Sequence, residues 1–193
     1  MRTLTLAALV LLCTGCTLHP TEVQKTPVRP DQAVVFDIDG TLTPRPRSIF
    51  TPREDAASAV RRFADRGYKI IYLSARVRPL QSGIPEWLAE HGFPEGSIHV
   101  PQSHADSADH AAFKTRILQR YQQNGWHFVA AYGDSSTDFE AYAAVGIDKN
   151  RVYALQRAGQ PACQPGPWRQ CLTSWTEHLG SLAATTGQES QIQ

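Results

Sequence analysis

Five short apolar runs, spaced so that a helical segment fits between each pair, set the strongest limit on what this chain can fold into. They are "AVVF" at Ala33–Phe36, "KIIYL" at Lys69–Leu73, "SIHV" at 97–100, "HFVAAY" at His127–Tyr132 and "RVYAL" at Arg151–Leu155. Apolar residues in near-continuous runs, rather than strict alternation, read as strands buried on both faces. Between them, "TPRE" at Thr51–Glu54 predicts a capping box with Pro52 at the first helical position, opening a helix to about Asp65 that Gly67 stops. Further helices are expected around Glu86–His91 before Gly92, over Ala111–Gln122 before Gly125, from about Asp138 to Ala144, and over Thr173–Leu182. Strand–helix alternation of this kind predicts an α/β fold, a Rossmann-like doubly wound parallel sheet with helices on both faces. In such sheets ligands bind beyond the carboxyl ends of the strands.

The chain has 193 residues and a formal net charge of +1. That length allows one good-sized core, expected over 33–183. The interspersed charges give no basic field that would favour nucleic acid. Residues 1–16 read as a signal peptide, with Arg2, an apolar stretch from Leu4 to Leu12 and "LCTGC" resembling a bacterial lipobox, so that Cys16 would become a lipidated first residue. This predicts an exported, periplasmic, membrane-anchored lipoprotein, with plain secretion as the other reading. Residues 17–32, polar and carrying Pro20, Pro27 and Pro30, read as a flexible tether, and 184–193 as a disordered tail. Export leaves Cys163 and Cys171 as the two remaining cysteines, bracketing the turn "QPGPWRQ", and favours a disulfide over two free thiols.

The strand ends carry the chemistry. The first run passes into "DIDGT", Asp37 to Thr41; the second into Ser74-Ala75-Arg76; the fourth into "GDSSTD", Gly133 to Asp138; and the Ala111–Gln122 helix carries Lys114 in its first turn. Period-two alternation sends Asp37 and Asp39 to the same side. Crowded carboxylates repel unless a cation lies among them. Two unit charges near 4 Å interact by about 4 kcal/mol at an effective dielectric near 20. Asp39-Gly40 alone would be an ordinary turn and Asp138 alone a helix cap. Hydroxyls, carboxylates and a lysine, each delivered directly after an apolar strand or on a covering helix, point to something more specific.

"DIDGT", Ser74, Lys114 and "GDSSTD" resemble the four motifs of the haloacid dehalogenase superfamily of phosphotransferases, over about Val34 to Leu155. Within it, "DIDGTLT", "LSAR", "FK", "YGDSSTDFEAYAAVGI" and "RVYAL" are most similar to the catalytic domain of lipins, the Mg-dependent phosphatidate phosphatases, and to the related module of membrane-associated phosphatidylinositol-transfer proteins. Lipins commonly have Asn where this chain has Asp134. The resemblance implies a phosphomonoester hydrolase in which Asp37 is the nucleophile that forms an aspartyl-phosphate and Asp39 the general acid and base. It implies Mg2+ held by Asp37, the backbone carbonyl of Asp39, and Asp134. Lys114 would balance charge, while Ser74, Thr41 and backbone N–H groups around Gly40 would hold phosphoryl oxygens. Asp138 is either an outer metal ligand or the group that orients Lys114, the second being favoured. Arg76 is a candidate for substrate binding; Arg76, Arg78, Arg45 and Arg47 either pair with surface acids or meet an anionic head group.

Only 36 residues separate Asp37 from Ser74 and 39 separate Ser74 from Lys114, and a helix and a strand use most of each interval. No separate cap domain fits. An open site of this kind suits a large substrate, or one embedded in a surface. With an anchor at Cys16 giving peripheral membrane contact, phosphatidate or a similar phospholipid monoester is the expected substrate. The alternatives are a broad-specificity periplasmic acid phosphatase acting on soluble phosphomonoesters and a non-catalytic lipid-binding module.

Overall fold

A computed structural model describes residues 31–189, with side chains to Leu182; the expected signal peptide, Cys16 and nearly all of the tether lie outside the described residues. Six strands form one sheet: β1 (Gln32–Phe36), β2 (Lys69–Leu73), β3 (Ser97–His99), β4 (His127–Gly133), β5 (Val152–Leu155) and β6 (Gln170–Leu172). Their order is β3-β2-β1-β4-β5-β6, every pairing parallel. The helices are α1 (Ala56–Ala64), α2 (Ile84–Glu90), α3 (His104–Ala108), α4 (His110–Gln123), α5 (Ser136–Ala144) and α6 (Trp175–Glu189). This is the doubly wound architecture expected from the sequence.

Alternation along β1 divides the core in two. Val34 and Phe36 pack with Ala59, Val60, Phe63, Trp87 and Trp175 on one face of the sheet. Ala33 and Val35 pack with Phe113, Leu118, Phe139 and Tyr142 on the other. Both faces of the central strands are therefore dry, which is why their sequences read as unbroken apolar runs. Every strand but β3 passes directly into a polar residue at its carboxyl end, and all six carboxyl ends share one edge because the pairings are parallel.

Several boundaries differ from expectation. The Thr51 capping box does not form, and α1 begins only at Ala56. The reason is Arg53: its backbone N–H donates to the Leu42 carbonyl at 2.7 Å, its Nε to Thr43 at 3.0 Å, and Nη2 to Gly40 and Gln156, each at 2.7 Å. A helical turn through Thr51–Asp55 would pull that guanidinium from all three side-chain partners. Asp55 takes φ of 59° instead and accepts a hydrogen bond from Thr176 at 2.7 Å. Helix α3 was not anticipated; Ser103 and Asp106 cap it reciprocally. Helix α4 starts at His110, so Lys114 lies in its second turn rather than its first. Strand β6, three residues at the sheet edge, was also not anticipated, and α6 runs to Glu189, beyond the expected stop at Leu182 and into the segment expected to be disordered. Likewise β1 takes in Gln32, the last residue assigned to the tether.

Cys163 and Cys171 form a disulfide with Cα atoms 5.8 Å apart, tying the loop after β5 to β6. Between Asp37 and Ser74 the chain forms only α1 and β2, and between Ser74 and Lys114 only α2, β3, α3, one 3-10 turn and the start of α4. Neither interval holds a cap domain.

Candidate active site

Strand β1 ends at Phe36, and the backbone N–H of Asp37 still donates to the Tyr132 carbonyl of β4 at 2.9 Å, which fixes where the first carboxylate emerges. The chain then turns sharply: the N–H groups of Thr41, Leu42 and Thr43 all converge on the Ile38 carbonyl. At the centre of that turn Gly40 adopts φ of 97°, and a Cβ there would overlap the Asp134 carboxylate. Glycine is required twice over, by conformation and by contact.

Asp37 is buried and both of its oxygens are engaged. Thr41 Oγ1 donates to Oδ2 at 2.9 Å and Lys114 Nζ to Oδ1 at 2.6 Å. The Lys114 ammonium, equally buried, also donates to Asp138 Oδ1. The other oxygen of Asp138 turns back to the start of its own helix, accepting from the N–H groups of Asp134 and Ser135 at 3.1 and 3.0 Å and from Ser135 Oγ at 2.8 Å. Asp138 thus caps α5 and positions Lys114 with the same carboxylate. Asp134, at the end of β4, receives the Nε–H of Arg157 on Oδ2.

Asp39 goes elsewhere. It lies past the end of β1, where strand alternation no longer applies, and its carboxylate accepts from Ser74 Oγ at 2.6 Å and from Arg76 Nη2 at 2.6 Å and Nε at 3.1 Å. Asp37 and Asp39 therefore hold separate partners, while Asp39 stays near enough to help raise the Asp37 carboxyl. Arg76, expected to face a substrate, has a buried side chain committed to Asp39. Ser74 Oγ also accepts the Arg76 N–H at 3.0 Å. The N–H of Gly40 is occupied as well, by Thr43 Oγ1 at 2.9 Å.

Burial raises the Asp37 carboxyl well above its ordinary range; the Lys114 ammonium opposes this, while Asp138, Asp134 and Asp39 reinforce it. Asp134 is pushed up to about 6, by burial first and Asp138 next, against the pull of Arg157 and Lys114. Burial works against the charge of Lys114, but Asp138 and Asp37 outweigh it and raise its pKa. Four carboxylates, Asp37, Asp39, Asp134 and Asp138, thus meet Lys114, Arg76 and Arg157 in ion pairs, and the Arg53 guanidinium lies within electrostatic reach of Asp134. One oxygen each from Asp37, Asp134 and Asp138 lies within 4.8 Å of the others. All-oxygen donors, buried and closely spaced, fit a hard divalent cation. Asp37 and Asp134 are its better ligands, because Asp138 already accepts four hydrogen bonds, against two at Asp37 and one at Asp134.

Two residues were missed from the sequence. Arg53 staples the Gly40 turn to the end of β5, and Arg157 meets Asp134. Arg157 follows β5 by two residues, the strand-end position that singled out Ser74 and Asp134, and could have been found by the same signal.

Residues 34–156 match the protein family described as PITM 1-3, LNS2 domain. Membrane-associated phosphatidylinositol transfer protein 1 of Rattus norvegicus is 31% identical over 164 residues, 81% of this chain and 12% of that protein. Protein retinal degeneration B of Drosophila melanogaster is 34% identical over 135 residues, 67% of this chain and 10% of that protein. Phosphatidate phosphatase LPIN3 of Homo sapiens is 30% identical over 156 residues, 67% of this chain and 18% of that protein. The chain therefore spans less than a fifth of the length of these relatives. Among solved structures, D,D-heptose 1.7-bisphosphate phosphatase from B. bronchiseptica, complexed with magnesium and phosphate, superimposes with a TM-score of 0.54 at 17% identity, covering 78% of this chain and 98% of that one. A chain of the Pnkp1/Rnl/Hen1 RNA repair complex does so at 0.56 and 15%, covering 75% and 49%. At these identities the likeness is one of fold.

Proposed function

The chain belongs to the LNS2 domain family, with a haloacid dehalogenase-like fold, and on that footing we propose that it is a Mg2+-dependent phosphomonoester hydrolase that forms an aspartyl-phosphate on Asp37 and acts on phosphatidate or a similar phospholipid monoester. The observation that carries this reading is the Asp37–Lys114–Asp138 relay placed beside Asp134, at the edge where four strands deliver their polar ends.

Mg2+ held by Asp37, the Asp39 carbonyl and Asp134 would supply positive charge that offsets the carboxylates and the substrate phosphate. The protein's own groups account for the rest. Thr41 and Lys114 fix the Asp37 carboxylate from two sides, so that one rotamer faces the incoming phosphorus. An Asp37 oxygen bonds to phosphorus as the P–O bond to the alcohol breaks, and the departing oxygen takes a proton from Asp39. Water then attacks phosphorus, Asp39 accepts its proton, and Asp37 is released with inorganic phosphate. Ser74 and Arg76 fix the Asp39 carboxylate, which on this reading gives a proton to the leaving group and then takes one from water. Lys114 neutralises charge that builds on the transferring phosphoryl group.

Two features favour a substrate lying in a surface. No cap covers the edge among the described residues, and the large apolar side chains exposed among them, Phe50, Val77 and Leu80, all belong to the loops that follow β1 and β2 at that edge. The relatives named for phosphatidate phosphatase and phosphatidylinositol transfer point the same way. The Cys163–Cys171 disulfide supports export to an oxidising compartment, in keeping with an anchor at Cys16.

Phosphate release from phosphatidate micelles, p-nitrophenyl phosphate and mononucleotides, with Mg2+ and with EDTA, tests the proposal. Phosphatidate is expected to turn over fastest, EDTA to abolish turnover, and Asp37→Asn to lower it by at least about 10³-fold with the fold retained. Faster turnover of the soluble esters would favour a general phosphomonoesterase. Liposome binding without any hydrolysis would favour a lipid-binding module. Persistent turnover by Asp37→Asn would exclude the aspartyl-phosphate.

A further inference from the structure

A cavity of about 470 Å3 opens beside Asp134, between the loops that follow β1 and β5 and therefore above the end of β4, which lies between those two strands. Its lining includes Arg45, Arg47, Arg157, Gly159 and Gln160, and no acidic residue. The volume falls within the range of about 300–1,000 Å3 found for small-molecule sites.

The two loops are built onto each other. The Ala158 N–H donates to the Pro44 carbonyl at 2.9 Å, and Arg45 Nε donates back to the Ala158 carbonyl at 2.9 Å. Gly159, at φ of 81°, lies directly under the Arg45 guanidinium, where a Cβ would come within 3.3 Å of Nη2. Arg45 is thereby fixed through Nε while its remaining N–H groups carry no partner among the described residues. Arg47 makes no hydrogen bond or ion pair among them at all, and it is exposed. Arg157 is the one lining guanidinium with an acid, Asp134, which belongs to the carboxylate cluster.

Three guanidiniums line this one cavity, and two of them, Arg45 and Arg47, are exposed and without a carboxylate partner among the described residues. Planar forks of N–H donors match phosphate oxygens best. We propose that this cavity is a second anion subsite, which takes a phosphate-type group next to the phosphoryl group bound at Asp37. The inference rests on the phosphatase reading for its place in catalysis, though not for its existence. The second anion comes either from the substrate itself, as a bisphosphate, or from the head group of a neighbouring anionic lipid in the same surface. Both present the same chemistry to Arg45 and Arg47.

Isothermal titration of inorganic pyrophosphate into the full chain in EDTA reads the subsite with no turnover required. Binding is expected to weaken about tenfold in Arg47→Ala and further in Arg45→Ala/Arg47→Ala, and to fall with added salt. Affinity that is undetectable, or unchanged in both variants, overturns the proposal. Arginine-dependent binding in a protein that hydrolyses no phosphomonoester leaves the subsite standing and removes the phosphatase reading. Two activity arms at fixed free Mg2+ identify the source. A ratio of kcat/KM for fructose 1,6-bisphosphate over fructose 6-phosphate that drops about tenfold in Arg47→Ala assigns the anion to the substrate. Stimulation of phosphatidate turnover by phosphatidylglycerol in phosphatidylcholine vesicles, lost in Arg47→Ala, assigns it to a neighbouring head group.

Discussion

Gly40 and Asp134 fill one space between them: the glycine sits at φ of 97°, and its missing Cβ is where the Asp134 carboxylate lies. One residue of the turn after β1 thus sets how closely the β4 carboxylate approaches Asp37.

Gly40→Ala is accordingly expected to damage the site from the backbone outward. A non-glycine residue held at positive φ costs on the order of 1–3 kcal/mol, and here the methyl also displaces a carboxylate. Urea unfolding should show a loss of at least about 2 kcal/mol, and calorimetric titration should show weakened Mg2+ binding. Wild-type stability and cation affinity in this variant would contradict the close contact.

Lys114 is the buried cation between two buried acids, so its removal should matter to the fold as well as to turnover. Lys114→Met leaves Asp37 and Asp138 without their shared partner. Breaking a buried pair on one side costs about 3–5 kcal/mol. Adding Asp138→Asn removes one of the stranded charges and is expected to restore part of that stability without restoring activity. A double variant no more stable than Lys114→Met would show that the two residues are not energetically coupled.

If the loops after β1 and β2 face a lipid surface, Phe50, Val77 and Leu80 meet it first. Replacing all three by serine should weaken binding to phosphatidate-containing vesicles, with roughly 1–2 kcal/mol from Phe50 alone, and leave kcat/KM on p-nitrophenyl phosphate within about twofold. Vesicle sedimentation and a soluble-substrate assay read the two arms. Equal losses in both would mean that these side chains support the site rather than touch a membrane.

The parts of this molecule that were legible in sequence are those where one strong local signal decides the outcome. Unbroken apolar runs mark five of the strands and their parallel pairing, because burial on both faces leaves little choice of residue. Asp37, Ser74 and Asp134 were found because each directly follows such a run. What escaped depends on distant partners. The Thr51 capping signal was sound locally, yet Arg53 contacts with Thr43, Gly40 and Gln156 override it, and one of those partners is about a hundred positions away. The Asp39 side chain follows its own partners, Ser74 and Arg76, because it lies beyond the last residue of β1, and of the two partners open to Arg76 the acid is the one it takes. Strand β6 is three residues long and pairs on one side only, too little for periodicity to register.

The face of the sheet that α6 covers has its own pH dependence. His178 is buried among Tyr132, Tyr153 and Trp175, and its Nε2 lies 2.9 Å from the Tyr132 hydroxyl. Burial first, and Arg169 next, lower its pKa from 6.5 to about 4, with Glu177 opposing. The folded chain therefore keeps this ring neutral over a range in which the unfolded chain protonates it. The unfolded state binds more protons there, so stability is at full value above pH 6.5 and declines as pH falls toward about 4. A shift of that size corresponds to roughly 3 kcal/mol at the acid end of the window. Urea midpoints taken between pH 7.5 and 4.5 should fall, and His178→Gln should flatten that slope while lowering stability at pH 7.5 through lost packing. Parallel slopes for wild type and variant would mean that the imidazole titrates normally in the folded protein.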